Sequence, residues 1–259
     1  MPTGLRGRLL HNPEPMTPSS RPPASRFDRL DALRAVAILW MAAFHFCFDL
    51  NYYHFIRQSF TSDPFWLTQR TCIVTLFLFC AGFGQAVAWE QGQGWPRFWR
   101  RWAQVAACAA LVSIGSAFMF PRTWIGFGVL HGMAAMLILA RLAWPLGRWL
   151  WPLGAVAIAL PALWRHPFFD PPWMLWVGLS TRKPLTEDYV PVLPWLGVML
   201  IGLAAGRWLL QHRRHVLAGP VPRIVQPLAV LGRWSLSFYM LHQPVLIGAI
   251  LAGRQLGWW

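Results

Sequence analysis

The sequence is short of charge. Only 12% of its 259 residues are Asp, Glu, Lys or Arg, about half the share of a soluble globular domain. Nine acidic residues stand against 23 basic ones, and Lys183 is the one lysine. So little charge beside 56% hydrophobic residues excludes a disordered chain and a nucleic-acid-binding domain with a solvated basic face. Cysteine is scarce as well. Cys47, Cys72, Cys80 and Cys108 fall in apolar segments and form no C-x-x-C pair, so neither a zinc knuckle nor a redox motif is supported. They read as small buried hydrophobes. No internal repeat and no pair of broken helices of the inverted-repeat transporter kind is evident. What is abundant is apolar and comes in long runs, which is the composition of a membrane protein.

Residues 1–28 are rich in Pro, Ser and Arg and lack an apolar core of signal-peptide length, so they read as a disordered, basic, cytoplasmic tail. Residues 29–259 then form one polytopic domain. Its uncharged runs are Ala35–Phe48, Thr71–Trp89, Trp102–Pro121, Thr123–Ala140, Trp149–Trp164, Tyr189–Gly206 and Trp234–Gly253. A crossing takes ~20 apolar residues, and flanking arginines snorkel to complete the shorter runs. The expectation is an all-α integral membrane protein with seven transmembrane helices. An eighth stretch, Pro171–Thr181, is too short to cross and reads as interfacial or re-entrant. Most arginines then collect on the side of the N-terminus, so the positive-inside bias predicts a cytoplasmic N-terminus and a C-terminus outside.

Ionisable groups inside spans are costly and mark function by default. Arg34 and His45 lie eleven residues apart on one helical face, with a rise of about 16 Å between them. Asp31 is placed to hold the Arg34 guanidinium, and Asp49, four residues after His45, to orient its ring. A neutral His is the usual general base for acyl transfer. An Arg suits the phosphates of a nucleotide-bearing acyl donor such as a coenzyme A thioester. The competing reading makes Arg34 a positive-inside anchor and His45 an interhelical hydrogen-bonder. His131 and His242 fall at similar depth on two further helices, and Pro244 frees a carbonyl beside His242 and Gln243. Three chemistries fit such a cavity: acyl transfer, axial ligation of a b-type haem by paired histidines, and a proton relay in a transporter. No metal site is expected, because a tetrahedral His/Cys/carboxylate cluster cannot be assembled.

The run from Arg29 through Asp31 and Arg34, ending in Phe44-His45-Phe46, resembles the first helix of transmembrane acyltransferases, where an Arg is followed after ten residues by a His. The closer likeness is to bacterial members of the heparan-alpha-glucosaminide N-acetyltransferase catalytic-domain-like family. It is carried also by Phe127–Gly132, by Asp188–Gly197 with Pro191, Pro194 and Trp195, and by Leu231–Pro244. The resemblance implies transfer of an acetyl or other acyl group from coenzyme A, on the cytoplasmic side of a bacterial inner membrane, to an outward-facing sugar or glycan. It makes His45 and Asp49 catalytic candidates, with Arg34 and His131 on the acetyl-CoA donor. His242, Gln243, Tyr239, Asp188 and Trp195 are then expected to line the substrate pocket, with Gln243 donating to the developing oxyanion. The chain departs from the pattern at Ala35, where such motifs often carry Gly. The eukaryotic acetyltransferase has its essential His in the loop after its first helix, where this chain offers His54, so His45 and His54 both stand as counterparts. The implied partners are the lipid bilayer, the acyl-CoA donor and a sugar or glycan acceptor, without nucleic acid; oligomerisation is left open. A small-molecule transporter or channel on the same scaffold is the alternative, and a haem-b cytochrome comes third.

Overall fold

A computed structural model of the protein describes residues 27–219 and 221–257. Nearly all of the tail expected at 1–28, and the final two tryptophans, lie outside the described residues. Nine α-helices are described: α1 (Asp28–Tyr52), α2 (Pro64–Glu90), α3 (Trp95–Met119), α4 (Val129–Ala143), α5 (Leu150–Leu163), α6 (Val192–His212), α7 (Arg214–Leu217), α8 (Gln226–Arg233) and α9 (Ser235–Gln255). Local signals set several boundaries. Asp63 caps α2 by accepting the Phe65 N–H at 2.8 Å, and Pro64 stands in the first turn, where its missing N–H costs nothing.

Among the described residues, six helical segments are long and apolar enough to cross a membrane. This differs from the seven expected spans because the fourth and fifth fall within one 35-residue stretch, Val129–Leu163. Its helical hydrogen bonding runs on through a 3₁₀ segment at Trp144–Trp149, yet the stretch is not straight. Gly147 sits at φ 56°, ψ −119°, a conformation that costs glycine little, and there the chain doubles back. The α4 residue Gly132 lies against the Val190 carbonyl before α6, whereas Gly147 lies beside Arg207 near the end of α6. Gly154 then meets Ile201, and Ile158 meets Gly197, so α5 returns along α6. The Pro171–Thr181 stretch is non-helical apart from 3₁₀ turns such as Leu175–Val177, as its two prolines dictate.

The helices approach through small residues, as packing in a lipid solvent favours. A methyl group at Gly82 of α2 would run into the Met199 carbonyl of α6, and one at Gly202 of α6 into the Phe79 carbonyl of α2. Around this seam Leu78, Met199, Leu200, Leu203, Leu130 and Met136 are almost fully buried. Cys80 is buried with them, but Cys47 and Cys108 are only half-buried and Cys72 faces outward, so the reading of the cysteines as buried hydrophobes holds fully at Cys80 and fails at Cys72. At the end where α1 starts, Gly232 of α8 is pressed onto the Asp31 carbonyl. The same two helices are tied by Arg233 to Asp28 at 2.8 Å. This near end also holds the α2–α3 loop and the Gly147 turn, while the far end holds the loops after α1, α3 and α5.

Candidate functional site

The helices α1 and α9 run side by side in the same direction. Asp28 and Asp31 meet Arg233 at the near end, His45 meets His242 midway, and Asp49 meets Gln243 further on. His45 Nδ1 and His242 Nε2 are 2.7 Å apart. Their ring planes differ by 19° with centroids at 5.0 Å, so the imidazoles lie edge to edge in nearly one plane rather than face on. His242 Nδ1 in turn lies 2.6 Å from the Tyr239 carbonyl oxygen.

These partners assign the tautomers of the neutral pair. A carbonyl oxygen only accepts, so His242 Nδ1 carries the hydrogen and its Nε2 holds a lone pair. His45 Nδ1 therefore donates to His242, and the basic lone pair of His45 stands on Nε2. The arrangement ends in a free base whose orientation is set by a second ring and, through it, by backbone.

Beside this pair, Gln243 Nε2 donates to Asp49 Oδ1 at 2.7 Å. Asp49 is buried, and neither its Oδ2 nor Gln243 Oε1 has a hydrogen-bond partner. Two sequence readings change here. The His45 ring donates its hydrogen bond to His242 rather than to Asp49, whose Oδ1 is taken by Gln243. An amide N–H of Gln243 is taken up by Asp49 rather than left for an oxyanion. Tyr239 packs against Phe77 and His242, with centroids 6.2 and 5.6 Å away.

Arg34 sits at the near end, its Nη1 donating to Asp31 Oδ1 at 2.8 Å and its other nitrogen packed against Gly84. The side chain keeps 30% of its surface exposed, so the guanidinium is held from one side and open on the other. Sequence reasoning passed over a second basic feature at this end. A cavity of about 460 Å³ is lined by Gln91, Gly92, Gly94, Pro96, Arg97 and Arg100. The loop beneath it is pinned by Arg141 of α4, which donates to the Gln93 carbonyl and lies 4.3 Å over the Trp89 ring and 5.4 Å from that of Trp95. Arg141 is buried, and its Nε and other terminal nitrogen have no hydrogen-bond partner.

His131 and Asp188 meet at the start of α4. His131 Nδ1 accepts the Gly128 N–H at 3.3 Å, and its Nε2 is 3.0 Å from Ser113 Oγ. Ser113 Oγ donates to the Ile125 carbonyl at 2.6 Å, so it accepts from His131 Nε2–H. Asp188 Oδ2 accepts the Val129 N–H at 2.6 Å and so caps α4 from 59 residues away. Burial pushes the Asp188 carboxyl above its usual range, against the lowering effects of the Val129 hydrogen bond and of Arg70. These contacts place His131 and Asp188 at the start of α4. Every ring nitrogen of His131 and His242 is engaged in a hydrogen bond, so neither offers an axial nitrogen to a haem without breaking one. Trp195 packs against the α2–α6 core.

His54 lies apart, in the loop after α1, with φ 67°. It lines an open cavity of about 930 Å³ at the far end, together with Tyr52, Tyr53, Arg57, Gln58 and Arg254. The structure thus joins His45, Asp49, Tyr239, His242 and Gln243, brings Asp188 within charge–charge reach of Tyr239, sets His54 beyond them on the loop after α1, and holds Arg34 at the near end.

Among the described residues, an all-helical bundle with six apolar membrane-length segments, carrying a hydrogen-bonded histidine pair between α1 and α9, defines a multi-pass membrane protein with a buried polar centre. A family model described as heparan-alpha-glucosaminide N-acetyltransferase, catalytic, matches residues 26–244. The chain belongs to that family, whose description is that of an acetyltransferase. No curated protein and no solved structure matches the chain.

Proposed function

We propose that the protein transfers an acetyl group from acetyl-coenzyme A, bound at the near end, to a hydroxyl or amine of a sugar or glycan at the far end. In this reading the chain crosses a bacterial inner membrane seven times, α4 and α5 each counting once. The near end is cytoplasmic, the N-terminus inside and the C-terminus outside. The arginines Arg97, Arg100, Arg141, Arg148, Arg207, Arg213 and Arg214 then fall on or near the cytoplasmic face, as the positive-inside bias favours.

The observation that carries the reading is the free Nε2 of His45, oriented through His242 and the Tyr239 carbonyl. His45 Nε2 takes the proton from the acceptor O–H or N–H as that atom bonds to the thioester carbonyl carbon. Collapse of the tetrahedral adduct breaks the C–S bond and leaves the acetyl group on the acceptor. The proton on His45 passes to the departing thiolate, so that coenzyme A leaves as its thiol. A positioned base of this kind contributes roughly 10²–10⁴ in rate. Arg34 and the basic cavity holding Arg97 and Arg100 are the sites for the donor's phosphates, the latter also facing the N-terminal dipole of α3. His54 takes the acceptor side. His131 and Asp188 hold the start of α4 in place and thereby position the fold around the site.

A transporter reading draws on one observation, the two unpartnered oxygens of Asp49 and Gln243, which suit a passing cation or proton. The test separating the two uses full-length protein in detergent with acetyl-coenzyme A labelled in the acetyl group. Thiol release by the wild type and its loss in His45→Ala, with unchanged thermal unfolding, is the expected outcome. Release that persists in His45→Ala, or no release with membrane extract added as a source of acceptor, would overturn the proposal.

A further inference from the structure

The far-end cavity has a charge character that the acetyl-transfer reading does not explain. Arg57 enters it from the loop after α1 and Arg254 from the last turn of α9. Among the described residues neither arginine takes part in an ion pair, and no Asp or Glu lines the cavity. The carboxylate of nearby Asp63 is turned to the Phe65 N–H. Two guanidinium groups, one from the loop after α1 and one from the last turn of α9, therefore line one concave site that no carboxylate among the described residues lines. An Arg fork matches the paired oxygens of a carboxylate or phosphate, and two forks together select an anion over a neutral group.

The cavity is built rather than incidental. The Asn51 carboxamide oxygen accepts the Gln58 N–H at 2.7 Å, and the Asn51 carbonyl accepts the His54 N–H at 3.1 Å. These bonds hold His54 in the left-handed region, a strained state for a side-chain-bearing residue and one that recurs at ligand sites. Tyr52 and Tyr53 meet edge to face at 5.3 Å and give the wall apolar surfaces of the kind sugar rings pack on. The cavity also adjoins the polar centre, for Tyr53 in its wall lies within charge–charge reach of Asp49. The Tyr53 N–H bonds the Asp49 carbonyl at 2.9 Å, and Asn51 stands six residues, about 9 Å of helical rise, beyond His45. Its volume of about 930 Å³ is that of a ligand pocket for a molecule larger than a bare ion.

We propose that this cavity is an acceptor subsite that selects a negatively charged sugar, Arg57 and Arg254 holding a phosphate or carboxylate on the acceptor away from the atom to be acetylated. The inference rests on the acetyl-transfer reading, but its test is a binding measurement that needs no turnover. Full-length protein in an uncharged, sugar-free detergent is titrated with glucose 6-phosphate, glucuronate, glucose and inorganic phosphate.

Glucose 6-phosphate and glucuronate are expected to bind at least about tenfold more tightly than glucose. Arg57→Ala and Arg254→Ala should each erase that preference while Arg57→Lys retains part of it, and circular dichroism should show the helical fold intact. The stronger of the two acids identifies the anion as phosphate or carboxylate. Equal binding of glucose, no binding of either acid, or a preference that survives both alanine variants would overturn the proposal. Inorganic phosphate binding as tightly as glucose 6-phosphate would overturn it too, leaving a bare anion site open to lipid headgroups. His45-dependent thiol release stands or falls separately, so a failed titration does not count against acetyl transfer.

Discussion

His45 and His242, 197 residues apart in sequence, share one in-plane hydrogen bond of 2.7 Å. That bond makes the pair a single functional unit. His45→Ala is expected to lower thiol release from acetyl-coenzyme A by roughly 10²–10⁴-fold. His242→Ala should lower it by at least about tenfold, because the tautomer of His45 is no longer fixed. The double variant should be little worse than His45→Ala alone, since residues acting as a unit are not additive. Steady-state release assays on the three variants check this, and multiplicative losses would dissolve the unit.

The strain at His54 makes a stability prediction. At φ 67° a side chain costs about 1 kcal/mol or more that glycine does not incur. His54→Gly is therefore expected to raise the thermal unfolding temperature, whereas His54→Ala should not. If His54 serves the acceptor, the stabilised glycine variant should also bind acceptor sugars more weakly. A gain in stability without any loss of binding would make the residue purely a turn former.

The Asp188 carboxyl, raised by burial, holds its proton more tightly when folded than when unfolded. Linkage then makes the protein less stable as pH rises above the ordinary carboxylate value of about 3.9. Asp188→Asn keeps an oxygen for the Val129 N–H and removes the titration. The variant is expected to show a flatter unfolding profile across mildly acidic pH and a higher unfolding temperature at neutral pH. A variant less stable than wild type at neutral pH would show that the charged cap outweighs its burial.

Arg141 anchors the α2–α3 loop through the Gln93 carbonyl within a wall of Trp89, Trp95 and Phe98. Truncation to Ala loses the cation–π contacts and leaves a cavity, at a cost of about 2–4 kcal/mol. Lys should rescue little, because it lacks the planar group that stacks on the tryptophans. Thermal unfolding distinguishes the two, and a fully stable Arg141→Lys would deny the stacking its role.

Much of the fold was readable from the chain because a bilayer imposes length and polarity on every crossing. The face shared by Arg34 and His45, and the tie from Asp31 to Arg34, followed from helical spacing. The pairing of His45 with His242 did not, since nothing local says which of three histidines on separate helices will meet. For the same reason Asp49 was assigned to His45, its neighbour on α1, when Gln243 of another helix claims it. His131 was grouped with the other two by depth alone, whereas its bonds to Ser113 and Gly128 turn it to the start of α4. The reversal between the fourth and fifth uncharged runs follows from Arg141 and Arg148, which leave residues 141–148 outside both; that it pivots on Gly147 within continuing helical hydrogen bonds does not, because no sequence signal marks its positive φ.

That turn bears on the surrounding lipid. On the seven-crossing reading, α4 and α5 have 15 and 14 residues, a rise of about 22 and 21 Å against a hydrocarbon thickness of about 30 Å. The bilayer must pinch inward along that side of the protein, or the headgroups must follow Arg141, Arg148 and Arg165 down. A pinched membrane shortens the distance between an aqueous donor on one face and an acceptor on the other. Activity measured in lipids of graded acyl length should then peak in thin bilayers and fall as the chains lengthen.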